Sequence, residues 1–515
     1  MPRSISLLLL AAVAVSAGGC PNYEQYARQG HEPSSSGRFH FPFQRPGQEC
    51  RTYSVPAVEH LIYEEMTELI ADPDLFHLFQ NTWPNTVDTT IKWRGVAADN
   101  PDEELAFITT GDINAMWLRD SANQLQSYKS ILSPAKPPKG ENDIASLFRG
   151  AINLQARYIR NAPFCNAFHP PPEAKLGRAK RSLEARDTVN PKYDGEVVFE
   201  CKYELDSLAA FLQMSWDYYE KTDDGAFFGK FGWVEAVKKL LKVAEHMQEG
   251  TYDKDGRVQE SVYKWLRNSD SASETVSNHG RGAPVKGHIG LVRSFFRPSD
   301  DACIYQYFIP ANMMFARYLA SCAKIMSPLD QEVAMQMEEL AGGIEAGINE
   351  YGVVKHPKFG EMYAYEVDGF GSYNLMDDAN LPSLLSIPHI GYKPAFPHLY
   401  NNTRAFVLSS SNPYYARGPI LNATGGPHLG PGMAWPMGLI VQLMTSDDDD
   451  EIVNGIWQLM NSTAGLGLIH ETVNSYDENQ WTRSWFSWAN GLFGQMILDL
   501  WRRKPLLVAR SYQEL

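Results

Sequence analysis

Asp300 and Asp301 stand side by side in "FRPSDDACIYQYFIPANM", behind Arg297 and ahead of a run of aromatic and methionine residues. Two adjacent carboxyl groups raise one another's pKa, because the first negative charge disfavours the second. One of them is expected to hold a proton near neutral pH and act as a general acid, with Arg297 keeping the other ionised. The plainer reading is a helix start, in which Ser299 is the cap and both acids complement the helix dipole.

Glu471 is a second candidate, in "HETVNSYDENQWTRSWFSWANGLF", His470 to Phe493. His470-Glu471 begins like a zinc-protease helix, but position 474 is Asn, so the His-Glu-x-x-His pattern is broken. An exposed loop glutamate is the bland alternative, and Trp481, Arg483, Trp485 and Trp488 nearby favour a site. Further acids recur in the same company. Asp377, Asp378 and Asn380 lie in "MDDANLPSLL", Glu204 and Asp206 in "YELDSLAAF", and Trp117, Arg119 and Asp120 in "GDINAMWLRDSANQ". These acids read as sugar ligands or as hydrogen-bonding closures of the fold. His428, in "GGPHLGPGMAWPM", lines a pocket or is structural.

The chemistry implied is that of sugars. Aromatic faces stack on the C–H faces of pyranose rings, while Asp, Asn, Arg and His make directional bonds to hydroxyls. Hydrolysis of a glycosidic bond needs two carboxyl groups, one protonated to release the leaving oxygen and one ionised.

The elements that must position these clusters are helical. Amphipathic spacing predicts helices over 60–71, 143–160, 202–221, 233–250, 309–326, 330–351 and 451–461, and strand-like alternation is scarce. The acidic run after Thr445-Ser446 reads as a capped helix start, since no Gly-punctuated loop with spaced oxygens follows to bind calcium. Polar, aromatic clusters at successive helix ends suit a closed ring of helical hairpins whose loops line one pocket. Residues 165–198 read as a mobile surface loop.

With 515 residues, 44% hydrophobic and 12% aromatic, the chain can bury a large core. Its formal net charge of −15, without a long basic block, argues against nucleic acid and against an anionic membrane surface. A charged start, an apolar run over 5–15 and Val15-Ser16-Ala17 read as a signal peptide over 1–17, so a secreted or secretory-lumen protein is expected. Export makes one or two disulfides among the six cysteines an expectation, with Cys303 and Cys322 as buried thiols. Asn401, Asn422 and Asn461 begin glycosylation sequons.

The blocks "DINAMWLRDSANQ", "FRPSDDAC" with "YFIPANM", "MDDANLPSLL", "NPYYARG" and "IHETVN" with "TRSWFSWANGLF" run in order over residues 50–502 and resemble glycoside hydrolase family 125, the exo-acting α-1,6-mannosidases. The resemblance implies an all-α (α/α)6 barrel and metal-independent hydrolysis with inversion. It places the general acid at Asp300 or Asp301 and the general base at Glu471. Trp117, Arg119, Asp120, Asp206, Arg297, Asp377, Asp378, Asn380, His428, His470 and Arg483 are then the candidate substrate ligands. The expected organisation is a signal peptide (1–17), an N-terminal arm (18–50) and a single catalytic domain (51–515). No cofactor or metal is expected, the partners are mannose-containing oligosaccharides or glycans, and a monomer is expected. The rival readings are another (α/α)6 exo-glycosidase, glucoamylase-like, and a carbohydrate-binding protein without turnover.

Overall fold

The computed structural model describes residues 19–134, 142–178 and 187–514. The expected signal peptide lies outside the described residues. In chain order the principal helices are Pro73–Thr82 (α1), Leu118–Gln126 (α2), Ile144–Asn161 (α3), Leu205–Thr222 (α4), Trp233–Met247 (α5), Ile309–Met326 (α6), Gln331–Tyr351 (α7), Pro397–Val407 (α8), Pro436–Met444 (α9), Asp449–Asn461 (α10) and Ser487–Arg503 (α11).

Burial sorts these helices into two layers. α2, α4, α6, α9 and α11 are buried around almost their whole circumference. Helices apolar on all sides belong inside. α5, α7, α8 and α10 bury one stripe and turn the other to solvent, so they form the outer layer with α1 and α3. The outward side of α3 is covered by the hairpin Ile91–Val96/Glu104–Ile108. Gly150 allows that approach, since a Cβ there would meet Ala106 at 2.9 Å.

The inner helices close a ring: α2 packs on α4, α4 on α6, α9 on α11, and α11 back on α2. Between α6 and α9 the inner position is taken by the turn-rich stretch 377–391 rather than by a regular helix. Pro382 and Pro388 remove backbone donors there. Asp377 replaces part of the lost ladder, accepting the amides of Leu384 at 2.8 Å and Leu385 at 3.0 Å. Arg317 Nε of α6 donates to the Gly391 carbonyl at 3.1 Å and ties the stretch to its neighbour. The fold is the (α/α)6 barrel, with one hydrophobic core shared by both layers, Phe211, Phe315 and Phe493 in the inner ring and Trp83 just beyond α1.

Several expectations shift in detail. The helix expected over 60–71 is α-helical over Pro56–His60 and widens to a π-helix over Leu61–Met66, where Thr67 Oγ1 bonds the Ile62 carbonyl five residues back. The helix after the acidic run is capped by Asp448, which accepts the amides of Asp450 and Glu451 at 2.9 and 3.0 Å. Strands are more frequent than alternation suggests, because they are two to six residues long and carry no period. Three of them, Met116–Trp117, Tyr307–Phe308 and Met433–Ala434, immediately precede α2, α6 and α9 and gather the loops at one end of the ring.

The N-terminal arm is docked on the barrel. Arg45 is buried and its Nε bonds Asp88 at 2.7 Å, while Tyr23 meets the Trp485 ring edge-on at 5.2 Å. Disulfides join Cys20 to Cys50 and Cys165 to Cys201, and Cys303 and Cys322 are buried thiols. The described parts of 165–198 are not a detached surface loop: Ala167–Phe168 pairs with both Met116–Trp117 and Val198–Glu200. Asn401 is exposed, whereas Asn422 is tied to Gln458 through its side chain. No described helix is long and apolar enough to cross a membrane.

Candidate active site

The inner helices all begin at one end of the ring; the first turns of two of them bring charge to its centre and that of a third brings a tryptophan. Arg119 and Asp120 open α2, Glu204 and Asp206 open α4, and Trp488 opens α11. Acidic groups are favoured there by the positive ends of the helix dipoles. A cavity of about 220 Å³ sits over these termini, lined among others by Trp117, Arg119, Asp120, Asp300, His428 and Glu471.

Arg119 is the hub of its floor. Its guanidinium lies 2.6 Å from Glu204, 3.2 Å from Asp120, 3.4 Å from Asp206 and 3.6 Å from Asp300. Besides Arg119, these four carboxyls feel, among the described residues, only Lys202 (itself 3.6 Å from Glu200), Arg483 (held by Glu471) and His428, so full ionisation would leave uncompensated negative charge in a buried site. Burial accordingly raises Asp120 to about 6 and Asp206 to about 7, against the pull of Arg119. Burial also drives Glu204 well above the usual range, and the charges of Asp206 and Asp300 add to it. For Asp300 burial pushes the same way, but Lys202, Arg119 and His428 outweigh it and hold the carboxyl well below the usual range. Glu204 and Asp300 are within hydrogen-bonding reach, so they form one titrating pair whose proton rests on Glu204.

The adjacent acids point to different places. Residues 296–302 make a tight turn closed by the Arg297 amide on the Asp301 carbonyl at 2.8 Å and the Asp300 amide on the Arg297 carbonyl at 2.9 Å. Asp300 at its tip is left-handed, with φ +67°. Asp and Asn tolerate this region better than most residues, and strained backbone clusters at functional sites. Its side chain faces the cavity, and Lys202 Nζ holds its carbonyl at 3.0 Å. Asp301 turns away, accepting Ser299 Oγ at 3.0 Å with His428 Nδ1 at 3.7 Å.

Glu471 lines the same cavity. Its amide is shared by the carbonyls of Thr482 and Arg483, and Arg483 Nη1 donates to its Oε1 at 3.2 Å. Arg483 is also left-handed, φ +37°, and its Nε lies 3.7 Å from Asp112. The antiparallel strands Thr472–Asn474 and Asp477–Thr482 fix this corner.

Of the residues singled out in the sequence, Trp117, Arg119, Asp120, Asp300, Asn380, His428, Glu471 and Arg483 line the cavity, and Asp206 stands one layer behind. The others are placed elsewhere. Arg297 does not hold either neighbouring acid; its Nε donates to buried Glu366 at 2.7 Å. His470 is buried, stacks on Trp481 at 4.4 Å and bonds the Thr463 carbonyl at 3.0 Å, and burial lowers its pKa to about 4, so it is a neutral packing residue. Asp377 serves the backbone of 384–385, and Asp378 caps Asn380 through its amide at 3.1 Å.

Sequence reading missed Lys202, Glu200, Phe199 and Asp112, all on the wall. Lys202 had a signal: it is a lone cation between Glu200 and Glu204, next to Cys201. The Cys165–Cys201 disulfide holds Asn166 beside it, where Asn166 accepts the Lys202 amide at 3.0 Å and donates to Glu204 at 3.2 Å. Among the described residues no cluster of His, Cys, Asp and Glu is arranged to hold a metal ion.

A double ring of helices with an acid-lined, sugar-sized cavity over the inner N-termini is the arrangement of (α/α)6 glycoside hydrolases. A family model described as metal-independent alpha-mannosidase (GH125) matches residues 72–498, and the chain belongs to that family. It is a glycoside hydrolase. The meiotically up-regulated gene 157 protein of Schizosaccharomyces pombe is 46% identical over 495 residues, covering 96% of this chain and 94% of its own. A metal-independent α-mannosidase of Streptococcus pneumoniae, solved as a non-productive complex with α-1,6-mannobiose, superposes with a TM-score of 0.74 at 31% identity, covering 87% of this chain and 99% of its own.

Proposed function

We propose that the protein is an exo-acting α-1,6-mannosidase that inverts the anomeric carbon, with Asp300 as general acid and Glu471 as general base. The observation that carries the assignment is the pair of carboxyls on the wall of one small cavity whose floor is closed by the Arg119 network. A closed floor admits one terminal sugar and no chain beyond it. The proton that rests on Glu204 passes to Asp300 and from Asp300 to the glycosidic oxygen as the C1–O bond breaks, and a proton from solvent restores the pair once the product has left. Glu471 takes a proton from a water that attacks C1 from the opposite side, so the first product is β-mannose. His428, between Asp301 and the cavity, and Arg483, on Glu471, position the two ends of the reaction.

The α-1,6 preference is supported by the S. pneumoniae relative and its α-1,6-mannobiose complex. Room for the rest of the glycan adjoins the cavity: a second hollow of about 500 Å³, lined by Tyr23, Lys92 and Trp485, shares Asp112 with it. The apolar leader and two disulfides support action in the secretory pathway or outside the cell.

The test is mannose release from α-1,6-, α-1,3- and α-1,2-mannobiose, with Asp300→Asn, Asp301→Asn and Glu471→Gln in parallel. Activity confined to the 1,6 isomer, unchanged by EDTA and lost with Asp300 and Glu471, is expected. Proton NMR should show β-mannose first. Seeing α-mannose first means retention and overturns the assignment of a water-activating base.

A further inference from the structure

Behind α5 the chain enters loops over 248–262 and 277–284 that enclose a cavity of about 510 Å³, sharing no lining residue with the catalytic one. Outer helices end at the face where inner helices begin, so it opens on the same face of the barrel as the active site. Arg293 is part of its wall. This side chain is 5% exposed, its Nε is buried without a hydrogen bond, and its Nη2 reaches only the His246 carbonyl, at 3.5 Å. Among the described residues no carboxylate lies within ion-pair distance of it; beyond the His246 carbonyl, only the Phe295 ring at 5.7 Å and the more distant Tyr307, Tyr203 and Glu249 offset its charge, and burial outweighs them. A buried guanidinium without a countercharge is costly, and an anion completes it.

Arg281 presents a second opening for such an anion. Its Nε is also buried and unbonded, and its Nη2 is 3.6 Å from Glu260, a carboxylate already held by Lys264 at 2.5 Å. The imidazoles of His246 and His279 stand beside the two arginines, while Glu249 and Glu260 are the acids that face them. Asn278 and His279 are both left-handed, φ +52° and +57°, so the backbone is bent to fit this wall. The rim is different in kind: Tyr252, Val258 and Val262 stand exposed. An anion site with an exposed aromatic rim fits a group that is charged at one end and carries C–H faces at the other.

We propose that this cavity is a second carbohydrate site, apart from the catalytic one, for a sugar bearing a single anionic group. Arg293 and Arg281 clamp the phosphate or carboxylate by the paired donation that guanidinium offers both, and Tyr252 stacks on the ring. The site goes beyond hydrolysis, recruiting acidic glycans to the face on which they are cut.

Isothermal titration of the full-length protein with mannose 6-phosphate, glucuronate and inorganic phosphate tests this. At least one acidic sugar should bind saturably, with phosphate alone at least about tenfold weaker. Binding of one sugar and not the other distinguishes phosphate from carboxylate. Arg293→Met should reduce affinity at least about tenfold, and Arg281→Gln and Tyr252→Ala, at the exposed rim and harmless to the fold, about threefold or more, with turnover of α-1,6-mannobiose unchanged in all three. Absence of saturable sugar binding, equal binding by Arg281→Gln and wild type, or phosphate binding as tightly as either sugar would overturn the proposal.

Discussion

Arg119 and Arg293 are both buried on the same face of the barrel, in opposite company. Arg119 has four carboxyls within 3.6 Å; Arg293 has none within ion-pair distance among the described residues. The pull on each side chain differs accordingly. The carboxyls hold Arg119 well above its ordinary pKa despite burial, whereas burial pushes Arg293 below it. In one region the protein supplies the countercharge and keeps spare protons for chemistry. In the other it leaves a cation for something outside the chain to complete.

The largest expected effect lies on the first side. Glu471→Gln and Asp300→Asn remove the groups that move protons, so kcat on α-1,6-mannobiose should fall by about 10³-fold or more, with the folded circular-dichroism spectrum retained. Glu204→Gln should cost less and move the alkaline limb of the kcat profile, because it strips the shared proton but leaves the group that touches the sugar. A Glu204→Gln enzyme with an unshifted profile would break the pair as described.

Stability separates the two arginines next. Arg119→Met strands buried carboxyls and should destabilise by about 3–5 kcal/mol, whereas Arg293→Met removes a charge that has no partner and should be neutral or stabilising. Urea unfolding of both variants reads the difference. Equal losses would mean that Arg293 has a structural countercharge after all, and the contrast between the regions would collapse.

How far this contrast could be read from sequence depends on range. Local signals held well: periodicity located α3, α4, α6 and α7 to within a few residues, and Ile309–Met326 matches its expected bounds. Asp300 and Asp301 were legible as a pair, but their divergence depends on a left-handed tip whose effect appears only when the turn closes. Arg297 was read as the partner of its sequence neighbours, yet its carboxylate is Glu366, 69 residues away. His470 sits beside Glu471 in sequence, but it lies in the connection ahead of the strand Thr472–Asn474, where its ring is buried against Trp481. The second cavity was invisible for the same reason, since Arg293 carries no motif and the absence of a partner can be seen only in space.

The smallest effect is the pH dependence of stability, and it too divides the regions. Asp120, Asp206 and Asp377 are raised by burial to about 6, 7 and 8, so the folded chain keeps protons that the unfolded chain releases above pH 4. Their stabilising contribution is therefore complete near pH 4 and is lost as pH climbs through 6 to 8. Asp300, held low, acts in the opposite sense only as pH falls below about 4. The melting temperature should be higher at pH 5 than at pH 8. Asp206→Asn should flatten that slope, while Arg293→Met should leave it unchanged, because Arg293 makes no ion pair with Asp120, Asp206 or Asp377. A slope that Asp206→Asn leaves intact would locate the titrating groups outside the Arg119 network, and the catalytic floor would then hold its acids ionised.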